Sequence, residues 1–310
     1  MSGCLHCYGP VAPTDGPLHE HCSRAVFGTP TPPTLDVAEE QTRLAATAQL
    51  ARGRGLTGVQ KKVSADLVNE SHRMVLRGAL GGYIVKPQTE EYPALPENEA
   101  LCMRLAEVVH LPVVPATLLR TVHGDLAYVT RRIDRAADGT AIQQEDMAQV
   151  TERLTEDKYK GSHEQVARAI RRHSAAWRLD LVTYYRAVLF CFVIGNADAH
   201  LKNWSLQKVG GRWRLMPLYD LVATRLVIPE ATDPDELCLM VDGRRHGFTA
   251  RNFAAFAKTI GLPPHQATAQ LRVLRRAEDE FLERISASYL PKTQREQLRA
   301  IVRERLARLT

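Results

Sequence analysis

Three oxygen-bearing side chains lie within a short stretch of the sequence and could hold a metal-bound phosphate. Asp198 and Asn203 are five residues apart and follow a long apolar run, and Asp220 comes seventeen residues after Asn203. Phosphoryl transfer from a nucleoside triphosphate needs a carboxylate that orients the attacking hydroxyl, and oxygen ligands that hold Mg²⁺ against the phosphates. The spacing therefore predicts that Asp198 is catalytic and that Asn203 and Asp220 bind magnesium.

A lysine and a glycine-rich segment complete the groups that this chemistry needs. Lys86 ends a predicted strand in the N-terminal half of the chain, where a kinase places the lysine that pairs with the α- and β-phosphates. Gly53, Gly55 and Gly58 precede it by 28 to 33 residues, and the backbone N–H groups of such a loop can cover phosphates. Each feature alone is common in proteins of other functions. Their order is that of a two-lobed protein kinase and favours ATP as the phosphoryl donor.

The first half of the chain must position Lys86. Short strands are predicted over residues 83–87, 116–121 and 126–133, bounded by turn-forming residues. Asn98 is expected to cap a helix that carries an apolar stripe. Several strands and one helix in this order predict a small mixed α/β region.

The second half must position the acidic residues. From about Gln144 onward the pattern is mainly helical. The segment Leu181–Ile194 is apolar nearly all round, which predicts a buried helix that ends at Gly195. A hairpin is predicted about Gly210 and Gly211, between two stretches that each contain a tryptophan.

Length and composition fit a single large domain with two lobes. The chain has 310 residues, of which 45% are hydrophobic and 25% charged, as in ordinary globular proteins. The predicted fold class is α+β, in a two-lobed protein-kinase-like arrangement. We assign residues 1–34 to a cysteine-rich segment and linker, 35–140 to a small mixed α/β N-lobe, and 141–310 to a mainly helical C-lobe.

Charge and hydropathy limit the classes of function. The net charge of +6 is compatible with nucleotides, nucleic acid or acidic proteins as ligands and requires none of them. The sequence has no apolar run of roughly eighteen residues and no basic N-terminus followed by an apolar stretch, so neither a membrane span nor a secretory signal is predicted. We therefore expect a cytoplasmic protein without a membrane partner.

Four potential zinc ligands occur near the N-terminus in two pairs. Cys4 and Cys7 form one pair, and His19 and Cys22 form the other. Three thiols and an imidazole are enough for a closed tetrahedral site, which would be structural because no position is left open for a substrate. The alternatives are a metal-free hairpin, or a site in which His6 or His21 replaces one of the four ligands.

A group of arginines near the C-terminus recurs at helical spacing. A solvated helix face is the favoured interpretation, and a DNA-contacting surface is the alternative. The residues are Arg295, Arg299, Arg303, Arg305 and Arg308.

Taken together, these motifs resemble those of the HipA-like serine/threonine kinases of bacterial toxin–antitoxin systems. The resemblance covers roughly residues 50–280 and rests on several segments in register. They are Gly58-Val59-Gln60-Lys61-Lys62, Tyr83-Ile84-Val85-Lys86-Pro87, Asn98-Glu99 with Cys102-Met103-Arg104-Leu105-Ala106, Arg132-Ile133-Asp134-Arg135, Gln144-Glu145-Asp146-Met147-Ala148-Gln149, Lys158-Tyr159, Gly195-Asn196-x-Asp198-x-His200-x-Lys202-Asn203 and Tyr219-Asp220.

The resemblance implies ATP-dependent phosphorylation of a serine or threonine on a protein, typically an aminoacyl-tRNA synthetase, with growth arrest as the outcome. It implies that Asp198 orients the acceptor hydroxyl. His200 and Lys202 would support the catalytic loop, and Lys202 would also neutralise charge on the transferring group. Asn203 and Asp220 would bind Mg²⁺. The nucleotide-binding residues that it implies are Lys86, Thr57, Gly58, Val59, Gln60, Arg131, Arg132 and Ile133.

The resemblance also implies partners and a means of regulation. Longer family members carry an extra N-terminal subdomain, so this chain is similar to compact relatives in which that subdomain is a separate small protein. The expected partners are such a small protein and a helix-turn-helix antitoxin, with DNA contacted only through the antitoxin. Family members often carry an autophosphorylated serine two or three residues before the loop glycine, and the corresponding stretch here is Gly55-Leu56-Thr57-Gly58, in which Thr57 can still be modified. Thr57 is either a regulatory phosphorylation site or a residue that only hydrogen-bonds within its turn.

Two other functions stay open. A kinase that acts on a small molecule or a lipid headgroup would use a similar fold. A non-catalytic module could instead bind nucleic acid or an antitoxin through the cysteine cluster and the basic helices. The presence of Lys86, Asp198, Asn203 and Asp220 together argues against a pseudokinase, which usually lacks one of them.

Overall fold

The computed structural model describes residues 3–12, 16–36, 62–68, 71–77, 81–136 and 139–310. The predicted phosphate-covering loop, with Thr57, Gly58, Val59 and Gln60, lies outside the described residues. The chain divides into two compact units. Unit 1 comprises Met1–Leu101, Val114–Ala141 and Ala287–Leu290, and unit 2 comprises Cys102–Val113, Ile142–Ser286 and Pro291–Thr310. The domain ranges assigned from the sequence stay predictions.

Unit 1 is built on a six-stranded sheet. Its strand order is β1-β3-β2-β4-β6-β5, and every pair is antiparallel except β1 with β3. The short central strand β4 ends at Lys86 because Pro87 has no N–H with which to continue the ladder. The strands are β1 (Thr34–Leu35), β2 (Val63–Val68), β3 (Arg73–Arg77), β4 (Tyr83–Lys86), β5 (Ala116–Arg120) and β6 (Leu126–Arg131).

Two helices contribute to unit 1. Helix α1 (Glu20–Phe27) precedes the sheet, and helix α2 (Leu95–Val108) follows β4. The prediction that Asn98 caps α2 is wrong, because the helix begins three residues earlier and Asn98 is buried within its first turn. Pro96 explains the early start, since proline is favoured in the first helical turn, where its missing N–H costs no hydrogen bond.

Unit 2 is mainly helical and contains a three-stranded antiparallel sheet of order β7-β8-β9. Its strands are β7 (Gln144–Asp146), β8 (Ser205–Val209) and β9 (Arg212–Leu215). Strand β7 was not predicted, because three residues are too few to show a periodic pattern. The helices are α3 (Met147–Val150), α4 (His163–His173), α5 (Trp177–Ile194), α6 (Ala250–Thr259), α7 (Pro264–Arg276), α8 (Glu278–Ala287) and α9 (Lys292–Ala307).

Helix α5 is the core element of unit 2 and confirms the predicted buried helix. From Leu189 to its end at Ile194 every side chain is fully buried. The helix ends at Gly195, whose φ of 75° lies in the left-handed region. A Cβ at this position would lie only 3.0 Å from Cβ of Arg225, so glycine suits both the conformation and the close packing. The residues after Gly195 therefore leave a rigid helix end in a defined direction.

The arginines in and directly after helix α9 do not form one solvated face, so the favoured interpretation of them is wrong, and the DNA-contacting surface stays a prediction. Arg305 is buried and donates a 2.6 Å hydrogen bond to the carbonyl of Phe192 in α5. Arg308 is half-buried and pairs with Glu236. Arg303 is exposed. Helical spacing alone could not separate these cases, because it does not show which side of a helix meets the core.

Within the described ranges, no helix is both long enough and apolar enough to cross a membrane.

Candidate active site

The loop after helix α5 is held in place by its own polar groups and by a neighbouring turn. The N–H of Asp198 donates to the side-chain oxygen of Asn196 at 3.0 Å. The N–H of Ala197 donates to Oγ1 of Thr224 at 2.8 Å, and that hydroxyl donates to the carbonyl of Gly195. Asn196 is buried. The backbone that presents Asp198 is therefore fixed before any substrate binds.

Asp198 is half-buried and carries a direct hydrogen bond. The hydroxyl of Tyr159 donates to its Oδ1 at 2.9 Å. Burial raises the pKa of Asp198, the hydrogen bond from Tyr159 and the positive charge of Lys158 oppose the rise, and the charges of Asp220 and Asp233 add to it. The net pKa is raised. A carboxylate with these surroundings can accept a proton from a hydroxyl nucleophile.

Asn203 and Asp220 lie side by side, and the charge of Asp220 acts on Asp198. Nδ2 of Asn203 is 3.5 Å from Oδ2 of Asp220. Oδ1 of Asn203 accepts the N–H of His200 at 3.1 Å, and a carbonyl oxygen has a second lone pair for a cation. The backbone φ of Asp220 is 55°, a left-handed conformation that is uncommon outside glycine and concentrates at functional sites. Amide and carboxylate oxygens are the donors that Mg²⁺ prefers, so these two residues fit the ion.

His200 and Lys202 belong to the same loop but differ in their surroundings. His200 is buried, its ring lies edge-on to Tyr159, and among the described residues neither ring nitrogen has a hydrogen-bond partner. Burial and then the charge of Lys158 lower the pKa of His200 to about 4. His200 is therefore neutral near pH 7. Lys202 is half-buried in a 3₁₀ turn, and its carbonyl accepts the hydroxyl of Tyr219 at 2.8 Å.

Within unit 1, Lys86 is paired with a buried carboxylate. Its Nζ donates to both oxygens of Glu99 in helix α2, at 2.8 and 2.9 Å. Lys86 is 7% exposed and Glu99 is 1% exposed. The ammonium also lies 5.5 Å from the centre of the Tyr128 ring, on the neighbouring strand β6. A lysine held in this way presents its charge at a fixed position, as phosphate binding requires.

The residues predicted to contact adenine lie at the end of strand β6. The N–H of Arg131 donates to the carbonyl of Pro115, and the N–H of Arg132 donates to the carbonyl of Gly82. These two N–H groups are already hydrogen-bonded within unit 1. A nucleotide base would therefore have to use other groups of the segment that continues into Ile133.

The four predicted zinc ligands also come together in unit 1. The ligand atoms of Cys4, Cys7, His19 and Cys22 all lie within 4.8 Å of one another.

Three residues of these sites were not assigned roles from the sequence. Glu99 is the partner of Lys86, and Tyr159 and Lys158 act on Asp198. Glu99 was part of the resemblance, but helix α2 also carries Glu97 and Glu107, so nothing local marked Glu99 as the partner of Lys86. The adjacent Lys158 and Tyr159 were already part of the resemblance, but nothing local to them points at a loop 39 residues later.

Comparison with known proteins gives the family and the fold. Residues 55–281 match the HipA-like C-terminal domain. A protein of Sinorhizobium fredii named "Putative kinase Y4mE" is 35% identical over 177 residues, which are 54% of this chain and 42% of that protein. A "Putative kinase" of Haemophilus influenzae is 27% identical over 290 residues, 84% of this chain and 83% of its own length.

Two solved structures share the fold. One is from the Shewanella oneidensis toxin–antitoxin complex of HipA, HipB and operator DNA, with a TM-score of 0.66 and 22% identity, over 83% of this chain and 64% of that one. The other is the Helicobacter pylori proinflammatory kinase CtkA, with a TM-score of 0.50 and 13% identity, over 73% of this chain and 86% of that one. These matches confirm the predicted α+β, protein-kinase-like fold class.

The extent of these matches bounds what they show. The chain spans less than half of the Sinorhizobium relative and just under two thirds of the Shewanella chain. The family match, in contrast, covers most of the present chain and includes Lys86, Asp198, Asn203 and Asp220. The chain belongs to the HipA-like C-terminal domain family.

Proposed function

We propose that this chain is an ATP- and magnesium-dependent serine/threonine protein kinase. The observation that carries the proposal is the grouping in unit 2 of a hydrogen-bonded carboxylate, Asp198, with a neighbouring amide and carboxylate, Asn203 and Asp220. These are the groups that phosphoryl transfer uses. The backbone that presents Asp198 is held by hydrogen bonds to Asn196 and Thr224. The buried pair of Lys86 and Glu99 in unit 1 adds support, because protein kinases use such a pair to hold the α- and β-phosphates.

In the proposed reaction, a carboxylate oxygen of Asp198 accepts the proton of a serine or threonine hydroxyl. The hydroxyl oxygen forms a bond to the γ-phosphorus of ATP, and the bond between the γ-phosphorus and the oxygen of the leaving ADP breaks. Tyr159 keeps the carboxylate oriented. Asn203 and Asp220 would hold Mg²⁺, which neutralises charge on the phosphates when it is bound. Lys86 would contact the phosphates, and Lys202 would compensate charge on the transferring group.

The substrate and partners are proposed from the family. The acceptor would be a protein, with an aminoacyl-tRNA synthetase as the first candidate, and its phosphorylation would arrest growth. A helix-turn-helix antitoxin would bind the kinase and carry the DNA contacts, in keeping with the HipA, HipB and operator DNA named for the Shewanella complex. A second proposed partner is a small separate protein that resembles the N-terminal subdomain of longer family members. The site of action would be the cytoplasm.

Transfer of label from γ-phosphate-labelled ATP tests the proposal. Incubation with a bacterial lysate should label a protein on serine or threonine. Asp198→Asn should reduce transfer by on the order of 10²–10⁴-fold with unchanged unfolding, whereas Asp279→Asn, at an exposed carboxylate of helix α8, should transfer like the wild type.

The outcomes separate the candidate functions. A labelled small molecule without labelled protein would indicate a metabolite or lipid kinase. No transfer by a folded protein that still binds DNA or an antitoxin would indicate a non-catalytic module. Either result would overturn the proposal.

A further inference from the structure

We propose that Cys4, Cys7, His19 and Cys22 bind one structural zinc ion, and that this ion holds the N-terminal segment onto the six-stranded sheet of unit 1. The proposal is independent of the proposed kinase activity. It rests on the geometry of the four side chains and on the contacts that the segment makes with the sheet.

The first two ligands lie in a tight loop. The N–H of Cys4 donates to the carbonyl of Gly9 at 2.8 Å, and the N–H of Tyr8 donates to the carbonyl of Cys4 at 2.9 Å. These two bonds close the loop around Cys7. Cys4 is fully buried and Cys7 is half-buried.

The other two ligands lie at the start of helix α1. His19 is the residue that precedes the helix, and Cys22 is in its first turn. A separation of three residues places their side chains on the same side of the helix. Nδ1 of His19 is 3.3 Å from Sγ of Cys7 and 3.9 Å from Sγ of Cys22. Neighbouring ligands of a tetrahedral zinc ion are about 3.3–3.8 Å apart for the usual bond lengths. The first distance lies in this range and the second is 0.1 Å above it, so a small side-chain rotation brings both atoms to one ion.

The ring of His19 is oriented by a second hydrogen bond. Its Nε2 lies 2.9 Å from the carbonyl of Pro10. A carbonyl only accepts hydrogen bonds, so Nε2 carries the proton and Nδ1 keeps its lone pair. Zinc-binding histidines are commonly held in this way by a carbonyl on the nitrogen that does not bind the metal. The Pro10 carbonyl therefore selects the tautomer that can bind zinc through Nδ1, the atom that faces the thiols.

The other two histidines of the segment have different surroundings. Nδ1 of His6 lies 3.1 Å from the carbonyl of Ala116. His21 is exposed, stacks on His19 and places Nε2 3.2 Å from Sγ of Cys22, where it can donate a hydrogen bond to a bound thiolate. We therefore assign both residues outside the set of ligands.

The donor set selects zinc and gives the ion a structural role. Three thiolates and one imidazole form a soft, tetrahedral site of the kind that binds Zn²⁺. Four protein ligands complete the coordination, so no substrate or water molecule has an open position. Such an ion stabilises the fold and does no chemistry.

Contacts on either side of the ligands join this segment to the rest of unit 1. His6 bonds to the start of strand β5 through Ala116. Tyr289 donates a hydrogen bond to the carbonyl of Gly3, and its ring packs edge-on against that of Tyr8. At the other end of the segment, Phe27 packs against Tyr83, the first residue of the strand that carries Lys86. Two short pieces of chain thus reach the sheet at separate points, and the ion would connect them.

Metal content of the purified full chain tests the ligand assignment. The wild type, purified under reducing conditions with zinc in the medium, should contain about one zinc per chain. Cys22→Ser and His19→Ala should lower this ratio by roughly tenfold or more. His21→Ala and Cys102→Ala are matched controls, since one removes a neighbouring histidine and the other a buried cysteine of helix α2. Both should keep about one zinc.

Two results would overturn the assignment. One is wild-type protein without zinc, with a disulfide among the three cysteines found by mass spectrometry. The other is loss of zinc from His21→Ala together with its retention by His19→Ala. Replacement by Co²⁺ gives a second readout, because tetrahedral cobalt with thiolate ligands has characteristic visible absorption, which Cys102→Ala should keep.

Thermal unfolding tests the structural role. A chelator should lower the Tm of the wild type and of Cys102→Ala, and re-added zinc should restore it. The wild-type experiment remains informative even where Cys22→Ser does not fold. A Tm that is the same with and without bound zinc would overturn the role in holding the segment on the sheet. Neither measurement uses phosphoryl transfer, so failure of the kinase proposal would leave this one standing.

Discussion

The hydroxyl of Tyr159 donates a 2.9 Å hydrogen bond to Oδ1 of Asp198. The two residues are far apart in sequence and belong to different turns of unit 2. The bond matters because burial raises the pKa of Asp198, and Tyr159 is the first group that opposes the rise. The hydrogen bond from Tyr159 therefore orients the Asp198 carboxylate and favours its ionised form.

Removal of this hydroxyl should change the pH dependence of phosphoryl transfer. In Tyr159→Phe the pKa of Asp198 rises further. Asp198 therefore becomes protonated, and unable to act as a base, at a higher pH than in the wild type. We expect the acid limb of the kcat/KM profile to move upward by on the order of one pH unit. Tyr185→Phe, which removes a buried hydroxyl bonded to Phe253 instead, should leave the limb in place. An unshifted limb in Tyr159→Phe would contradict the role assigned to the tyrosine.

Glu99 should matter for nucleotide binding, and its neighbour in the same helix should not. Glu99→Gln removes the carboxylate charge and leaves one acceptor oxygen in place of two, so the Lys86 ammonium is held less well. We expect the Kd for Mg-ATP, measured by calorimetry, to increase about tenfold, or ~1.4 kcal/mol. Glu97→Gln is the matched control, because Glu97 is buried two residues away and bonds to Gln88. Equal effects of the two changes would argue against a specific role for the Lys86–Glu99 pair.

In helix α9, buried Arg305 should contribute more to the stability of the fold than exposed Arg303. Arg305→Ala removes the hydrogen bond to the Phe192 carbonyl and leaves space in the core. It should lower the free energy of unfolding by about 2–4 kcal/mol. Arg303→Ala, two residues earlier and exposed, should change it by less than ~0.5 kcal/mol. Chemical unfolding followed by tryptophan fluorescence measures both, and similar losses in the two variants would show that Arg305 is not a core residue.

His163 should make unit 2 less stable in mild acid. It is fully buried, its Nδ1 lies 2.6 Å from the hydroxyl of Tyr184, and burial lowers its pKa from 6.5 to about 3. Between these two pH values the unfolded state binds a proton that the folded state does not, so this contribution is present above pH 6.5 and is lost as the pH falls towards 3. From pH 7 to pH 5 the loss is ~2 kcal/mol.

A non-titrating replacement isolates that contribution. His163→Gln should lose about 2 kcal/mol less than the wild type between pH 7 and pH 5, whereas His173→Gln, at the exposed end of helix α4, should follow the wild type. All three tryptophans (residues 177, 204 and 213) belong to unit 2, so their fluorescence reports the unfolding of that unit. An unchanged pH dependence in His163→Gln would contradict the assignment.

Much of the local structure of this protein could be predicted from its sequence. The strand that ends at Lys86, the buried helix that ends at Gly195 and the hairpin at Gly210 were predicted, because apolar periodicity, proline and glycine act over a few residues. The prediction that Asn98 caps helix α2 was wrong, because the sequence near an asparagine does not show whether it precedes the helix or lies within its first turn.

The motifs that carry the family resemblance were also readable from the sequence, since they depend on residue types at short spacing. Asp198, Asn203 and Asp220 belong to this class, as do the two pairs of zinc ligands. Their expected chemistry follows from the donor atoms alone. Whether the side chains meet is a separate question, which the structure answers for each group within its own unit.

Only the tertiary structure decided which distant groups act on these residues. The hydrogen bond from Tyr159 to Asp198, the pairing of Lys86 with Glu99 and the burial of Arg305 against helix α5 all depend on how elements pack. The physical reason is that secondary structure is encoded by local backbone preferences and periodicity, whereas the face that an element buries, and so the partner of each polar group, is set by the whole core.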